Sequence, residues 1–153
     1  STGYMANLSL LSALVSPAPR EAEIFSDALN HASLIDGARL SRAQVTVYPH
    51  VDVMALAHAL ARSTAKTKVV VTDSVFSMDG DMADLTALSS LQANLIVDEA
   101  HAVGIFGARG SGSGTSSRTQ SESRLIVGAK PRVPRCVASS STTVRMDPGR
   151  PSG

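Results

Sequence analysis

The chain has 153 residues and a formal net charge of +1, with 43% hydrophobic residues but only 3% aromatic ones and no Trp. That length suits one domain or part of one, and its apolar content comes from Ala, Leu and Val, as suits helices packed on a parallel sheet. The charge balance argues against an obligatory nucleic-acid or anionic-membrane partner, and the single Cys, Cys136, rules out an internal disulfide framework.

The near-neutral total hides a division. Residues 1–114 carry 7 Lys and Arg against 11 Asp and Glu, a net of −4, whereas residues 115–153 carry 7 against 2, a net of +5. No run approaches the ~18 apolar residues of a membrane span. The first residues lack a basic segment followed by an apolar core, so a secretory signal is not expected and the chain reads as soluble and cytoplasmic. The sequon at Asn7-Leu8-Ser9 is then incidental.

In chain order, Leu8, Leu11 and Val15, with Leu10 and Leu14 beside them, predict an amphipathic helix over 5–15. Ser1-Thr2-Gly3-Tyr4 precedes it, where free backbone N–H groups and the positive dipole end suit a phosphate. Pro17-Ala18-Pro19 ends the helix, and Glu23-Ile24-Phe25-Ser26 follows as a short strand. Leu34, Ile35, Ala38 and Leu40 suggest a second helix, and Val45-Thr46-Val47-Tyr48 a second strand. Pro49-His50-Val51-Asp52 reads as a turn with Asp52 capping a helix that carries Val53, Leu56, Ala57 and Leu60. For His50 and Asp52 this structural reading is favoured over a catalytic one.

Val69-Val70-Val71 is a β-branched run of the kind buried on both faces of a sheet. It opens into a loop of small polar residues, Thr72 to Asp81, after which Asp84 caps a short helix bearing Leu85, Leu88 and Leu91. Leu95-Ile96-Val97 is the next strand, and it ends in Asp98-Glu99-Ala100-His101. Strand and helix alternate throughout, which predicts an α/β fold: three layers around a doubly wound, mostly parallel sheet. Ligands of such sheets bind beyond the carboxyl ends of the strands, where Asp98 and His101 stand. Residues 115–153 hold 12 Ser or Thr and no aromatic residue. They read as an atypical tail, expected to be disordered, with Leu125-Ile126-Val127 its only strand-like run.

His31, Ser77, Asp98 and His101 each lie at or just beyond a strand end, so they are expected to converge. Zinc spacing patterns are missing, so no metal is expected. A Ser-His-Asp triad is compatible with the composition, but no Gly-x-Ser-x-Gly elbow surrounds Ser77. Asp98-Glu99-Ala100-His101 spells a helicase box, but no phosphate loop accompanies it.

Three segments, Asn30-His31-Ala32-Ser33-Leu34-Ile35-Asp36-Gly37, Thr72 to Asp81, and Asp98-Glu99-Ala100-His101-Ala102-Val103-Gly104, resemble the α-oxoamine synthases in content and order. These are pyridoxal-phosphate (PLP) enzymes of the aspartate-aminotransferase fold. The resemblance implies that 1–114 is part of a PLP-dependent transferase large domain, acting as a homodimer on an amino acid and an acyl-CoA thioester with loss of CO₂. It implies that Asp98 pairs with the pyridine nitrogen, His101 hydrogen-bonds the ring's phenolic oxygen with Ser77 close by, and Gly3 and Tyr4 receive the phosphate. His31 is implied to stack on the ring and is the one residue given a catalytic part.

The chain departs from that pattern in one respect. The family's Schiff-base lysine sits in a Thr-x-Ser/Gly-Lys segment that is not visible here. Lys130, 32 residues beyond Asp98, is the only later lysine, and Pro131 follows it. The expectation is a central fragment of the large domain, inactive or nearly so by itself.

Overall fold

The computed structural model describes residues 3–113 and the strand at 124–127. The elements in order are helix α1 (Gly3–Val15), strand β1 (Ala22–Asp27), α2 (Ala32–Leu40), β2 (Gln44–Tyr48), α3 (Val53–Arg62), β3 (Thr67–Asp73), α4 (Leu85–Ser90), β4 (Asn94–Asp98) and β5 (Arg124–Val127). The five strands form one sheet in the order β2-β1-β3-β4-β5, and every pairing is parallel. β5 falls within the span read as a tail, at the Leu125-Ile126-Val127 run. The rest of that span, with Lys130 in it, lies outside the described residues.

The period of two along each strand sorts side chains into two cores. Ile24, Val69, Val71 and Ile96 face α1 and α2, where Leu11, Val15, Leu34 and Ala38 close over them. Phe25, Val70, Leu95 and Val97 face the other way, onto Leu56, Leu60, Leu85 and Leu88 of α3 and α4. The sheet is therefore the middle of three layers, and Val69-Val70-Val71 is buried throughout because alternate residues serve both cores. Each such side chain contributes about 1.5–3 kcal/mol by leaving water.

Local signals set the element ends. Asp52 Oδ1 accepts from Ala55 N–H at 2.8 Å, and Asp84 Oδ1 from Ala87 N–H at 2.9 Å, so both capping aspartates stop where the sequence suggests. α4 is short, with Leu91 already extended beyond it. β2 lies at the sheet edge and leaves Val45 and Val47 exposed.

Two helix positions matter for the site. On α1 the buried stripe is Asn7, Leu11 and Val15, so its first place belongs to an asparagine, and Leu8 is only half-buried. Gly37 lets α2 approach α1 closely: a Cβ there would stand 2.8 Å from Leu11 Cδ1 and 3.1 Å from the Asn7 carbonyl oxygen. No helix among the described residues is long and apolar enough to cross a membrane.

Candidate active site

Parallel pairing brings the carboxyl ends of the strands to one edge of the sheet. Asp73 and Asp98 are register partners at the ends of β3 and β4. Each continues the parity of the residues facing α1 and α2, so both carboxylates point to that side. Asp98 is 7% exposed and Asp73 5%.

Asp98 is held from two directions. Its Oδ2 accepts from the side-chain amide of Asn7 at 2.7 Å, and its Oδ1 from the Ala100 N–H at 2.8 Å. The same Asn7 amide donates to Ser33 Oγ at 2.8 Å, and Ser33 Oγ lies 2.8 Å from His31 Nδ1. His31 caps α2, its Nδ1 accepting from Ser33 N–H. One chain of hydrogen bonds thus runs from Asp98 through Asn7 and Ser33 to His31.

The His31 backbone N–H donates to Asp73 Oδ2 at 2.7 Å. Burial pushes the Asp73 carboxyl up to about 6. The His31 N–H works against that rise, and the charge of Asp98 adds to it. None of the ion pairs among the described residues involves Asp73 or Asp98. Two adjacent, dry carboxylates without a cationic side chain are costly, and a bound cation at this place would relieve the cost.

α1 begins at Gly3, one turn before Asn7, so its amino end lies roughly 6 Å along the helix from the residue that grips Asp98. An anion and a cation on one small molecule would meet complementary charge here: the helix start for the first, Asp98 for the second. Tyr4 is exposed, and its hydroxyl donates to Asp36 Oδ2 of α2. That bond, with Asp36's charge, holds the phenol above its ordinary pKa. His31 and His101 are exposed.

The segment after Asp98 is a compact wrap. Glu99 is buried, its Oε1 accepting from Ser113 Oγ at 2.9 Å. Gly104 N–H donates to the Gly110 carbonyl, and Gly112 N–H to that of Phe106. Gly112 has φ +99°, and a Cβ there would stand 1.8 Å from Glu99 Oε2, so only glycine fits.

Of the residues singled out in the sequence, Asp98 and His31 are joined through Asn7 and Ser33, His101 is exposed three residues beyond Asp98, and Gly3 and Tyr4 start α1. Ser77 lies on an exposed stretch and makes no hydrogen bond to this group; it is Ser74 that ties the loop to β4, its N–H and Oγ donating to the Asp98 carbonyl at 2.9 and 3.0 Å. Among the described residues no group of three or more His, Cys, Asp or Glu is placed to hold a metal ion. Asn7, Ser33 and Asp73 are the members that sequence reading missed. The signal available for Asn7 was its i, i+4, i+8 spacing with Leu11 and Val15.

An 8-amino-7-oxononanoate synthase of Burkholderia orbicola is 54% identical over 132 residues, covering 84% of this chain and 32% of its own length. One from Bordetella petrii is 60% identical over 115 residues, covering 72% and 28%. The chain therefore spans about a third of the length of the curated relatives it matches.

Among solved structures, serine palmitoyltransferase of S. paucimobilis with bound PLP superposes with a TM-score of 0.75 at 35% identity, over 84% of this chain and 33% of that one. The 8-amino-7-oxononanoate synthase of Francisella tularensis gives 0.61 at 37% identity, over 74% and 32%. A family model, aminotransferase class I and II, matches residues 1–142, beyond the boundary drawn at residue 114. Given that match across most of the sequence and the parallel α/β sheet that carries it, the chain belongs to the aminotransferase class I and II family.

Proposed function

We propose that this chain is the central part of the large domain of a PLP-dependent acyltransferase that condenses an amino acid with an acyl-CoA thioester, with loss of CO₂. The observation that carries the reading is Asp98: a dry carboxylate at a strand's carboxyl end, gripped by Asn7 at 2.7 Å, one turn from the amino end of α1. The identity of 53–60% to 8-amino-7-oxononanoate synthases, against 35% to the serine palmitoyltransferase, supports alanine and a pimeloyl thioester as the substrates. The working unit is a pair of such chains.

PLP, when bound, supplies an electron sink that accepts the pair left on the α-carbon of the amino acid. The residues of this chain hold it and orient the substrate. Asp98 would pair with the positive ring nitrogen in a dry site, where such pairing is far stronger than in water. His31 would stack on the ring, with the Ser33 hydroxyl at its Nδ1. His101 and Ser77 would meet the phenolic oxygen, and the N–H groups at Gly3 and Tyr4 would receive the phosphate. Turnover needs a lysine in the family's sequence setting, which Lys130 lacks.

The test is a titration of the full chain with PLP, followed by absorbance and by borohydride trapping with mass analysis, alongside an assay with alanine and pimeloyl-CoA. Saturable PLP binding that Asp98→Asn abolishes supports the reading. Binding indifferent to Asp98 overturns it, while covalent trapping on Lys130 with full turnover overturns only the expectation that the chain is inactive by itself.

A further inference from the structure

The carboxyl edge of the sheet carries a second cluster, on the side of α3 and α4, that the proposed PLP site does not use. Asp27 ends β1 with the parity of Phe25, opposite to that of Asp73 and Asp98. It is 2% exposed. Its Oδ1 accepts from Leu29 N–H at 2.9 Å and its Oδ2 from Val51 N–H at 2.9 Å, so both oxygens act as acceptors. His50 stands against it, with Nδ1 at 2.8 Å from Asp27 Oδ1 and Nε2 at 3.2 Å from Asp81 Oδ2. The buried ring of Phe76 packs edge-on to the imidazole, centroids 4.4 Å apart.

A neutral imidazole has one N–H and one lone pair, so it satisfies one carboxylate and repels the other. With a carboxylate oxygen at each nitrogen, both must donate, and only imidazolium does that. Asp27 is the buried partner; Asp81, whose side chain is 57% exposed, is the outer one. The phenol of Tyr48 also faces Asp27 and is held well above its ordinary range by burial and by that charge, so it adds no second anion. Partial burial draws the His50 pKa down, but the hydrogen bonds and charges of Asp27 and Asp81 outweigh it and the net shift is upward.

Asp81 belongs to the loop between β3 and α4. That loop is closed on itself: Phe76 N–H donates to the Asp81 carbonyl and Gly80 N–H to the Phe76 carbonyl, both at 2.9 Å, and Val75 bridges Met82. Ser74 ties one end to β4, and His50 ties the far end to β1. Val51, next to His50, sits at φ +56°, a strained conformation for a β-branched residue, kept in place by its N–H bond to Asp27.

We propose that His50 is a positioning residue: as an imidazolium bonded through both ring nitrogens, it straps the Val75–Met82 loop to the carboxyl end of β1 and so sets where that loop holds Ser77. The importance of Ser77 rests on the PLP reading above; the strap itself does not. On deprotonation one of the two bonds is lost. The one to exposed Asp81 goes, because Asp27 is buried and keeps its partner. The loop is therefore held below the imidazole pKa and released above it.

Amide hydrogen exchange at Phe76 and Gly80 in the full chain, with rates corrected for intrinsic base catalysis, tests this. Exchange in Asp81→Asn should be about 3- to 10-fold faster than in the parent at pH 6, and the parent should climb to the variant's level as the pH passes the His50 titration. The titration itself is followed by the imidazole NMR signal that His50→Gln removes. Asp81 is exposed, so its variant folds even where His50→Gln does not. Equal exchange in Asp81→Asn and the parent, or no pH step in the parent, overturns the strap. A PLP titration at pH 6 separates the two ideas: an exchange step with no PLP binding leaves the strap and removes the cofactor reading. PLP binding that Asp81→Asn weakens about threefold or more supports both, while binding without any exchange step sinks the strap alone.

Discussion

Replacing Asn7 with Ala removes the link between α1, Asp98 and Ser33 without touching any residue implied to meet a ligand. Asn7 is fully buried and its amide makes two bonds, 2.7 Å to the Asp98 carboxylate and 2.8 Å to Ser33 Oγ. The charge-assisted bond is worth about 1.5–3 kcal/mol and the neutral one about 1 kcal/mol. Against this, Asn7 Oδ1 is buried with no hydrogen-bond partner among the described residues, and removing it returns about 1–2 kcal/mol. The net expectation is a fold destabilised by about 1–2 kcal/mol, read from urea unfolding followed by circular dichroism. PLP affinity should fall about tenfold in an absorbance titration, since Asp98 keeps only the Ala100 N–H to aim it. A cycle with Asp98→Asn isolates the contact, because a neutral acceptor gains less from the same amide. Coupling of about 1 kcal/mol is expected. A more stable Asn7→Ala chain with unchanged PLP affinity, or strictly additive effects, would refute the assignment.

Asp98→Asn by itself should split stability from binding. The chain without PLP gains about 1 kcal/mol by losing a buried charge, while PLP affinity drops at least 100-fold, as melting and absorbance titration would show. Asp73 sets a pH dependence. Its folded pKa, raised by burial to about 6 from 3.8, means the fold favours the protonated form. Its contribution is therefore complete below about pH 4 and fades as the pH rises through 6, a loss of about 2–3 kcal/mol that Asp73→Asn should erase from a pH series of urea midpoints. Gly112→Ala would drive a Cβ into Glu99 at a backbone angle that disfavours side chains, and should cost about 3 kcal/mol or more in the same unfolding assay, whereas Gly80→Ala, with open space around it, should cost less than half of that.

The sequence by itself determined the layers of this protein. Hydrophobic runs such as Val69-Val70-Val71, the capping aspartates Asp52 and Asp84 and the Pro17–Pro19 stop are local signals, each read within a few residues of where it acts. They suffice to alternate strand with helix and to put Asp98 at a strand's carboxyl end. The motif segments around His31 and Asp98 added the family resemblance.

Tertiary structure alone decided which polar residues work together. Asn7 reads in the sequence as one more polar residue of a leucine-rich helix, because its partner Asp98 is 91 positions away and meets it only when α1 is laid across β4. His50 reads as a turn residue, and locally it is one; its two carboxylates come from β1 and from the loop after β3, brought together by the parallel pairing of β1 with β2 and β3. Burial period and capping are properties of neighbouring residues, so they are written along the chain. The pairing of charges depends on distances across the sheet, which no stretch of sequence contains.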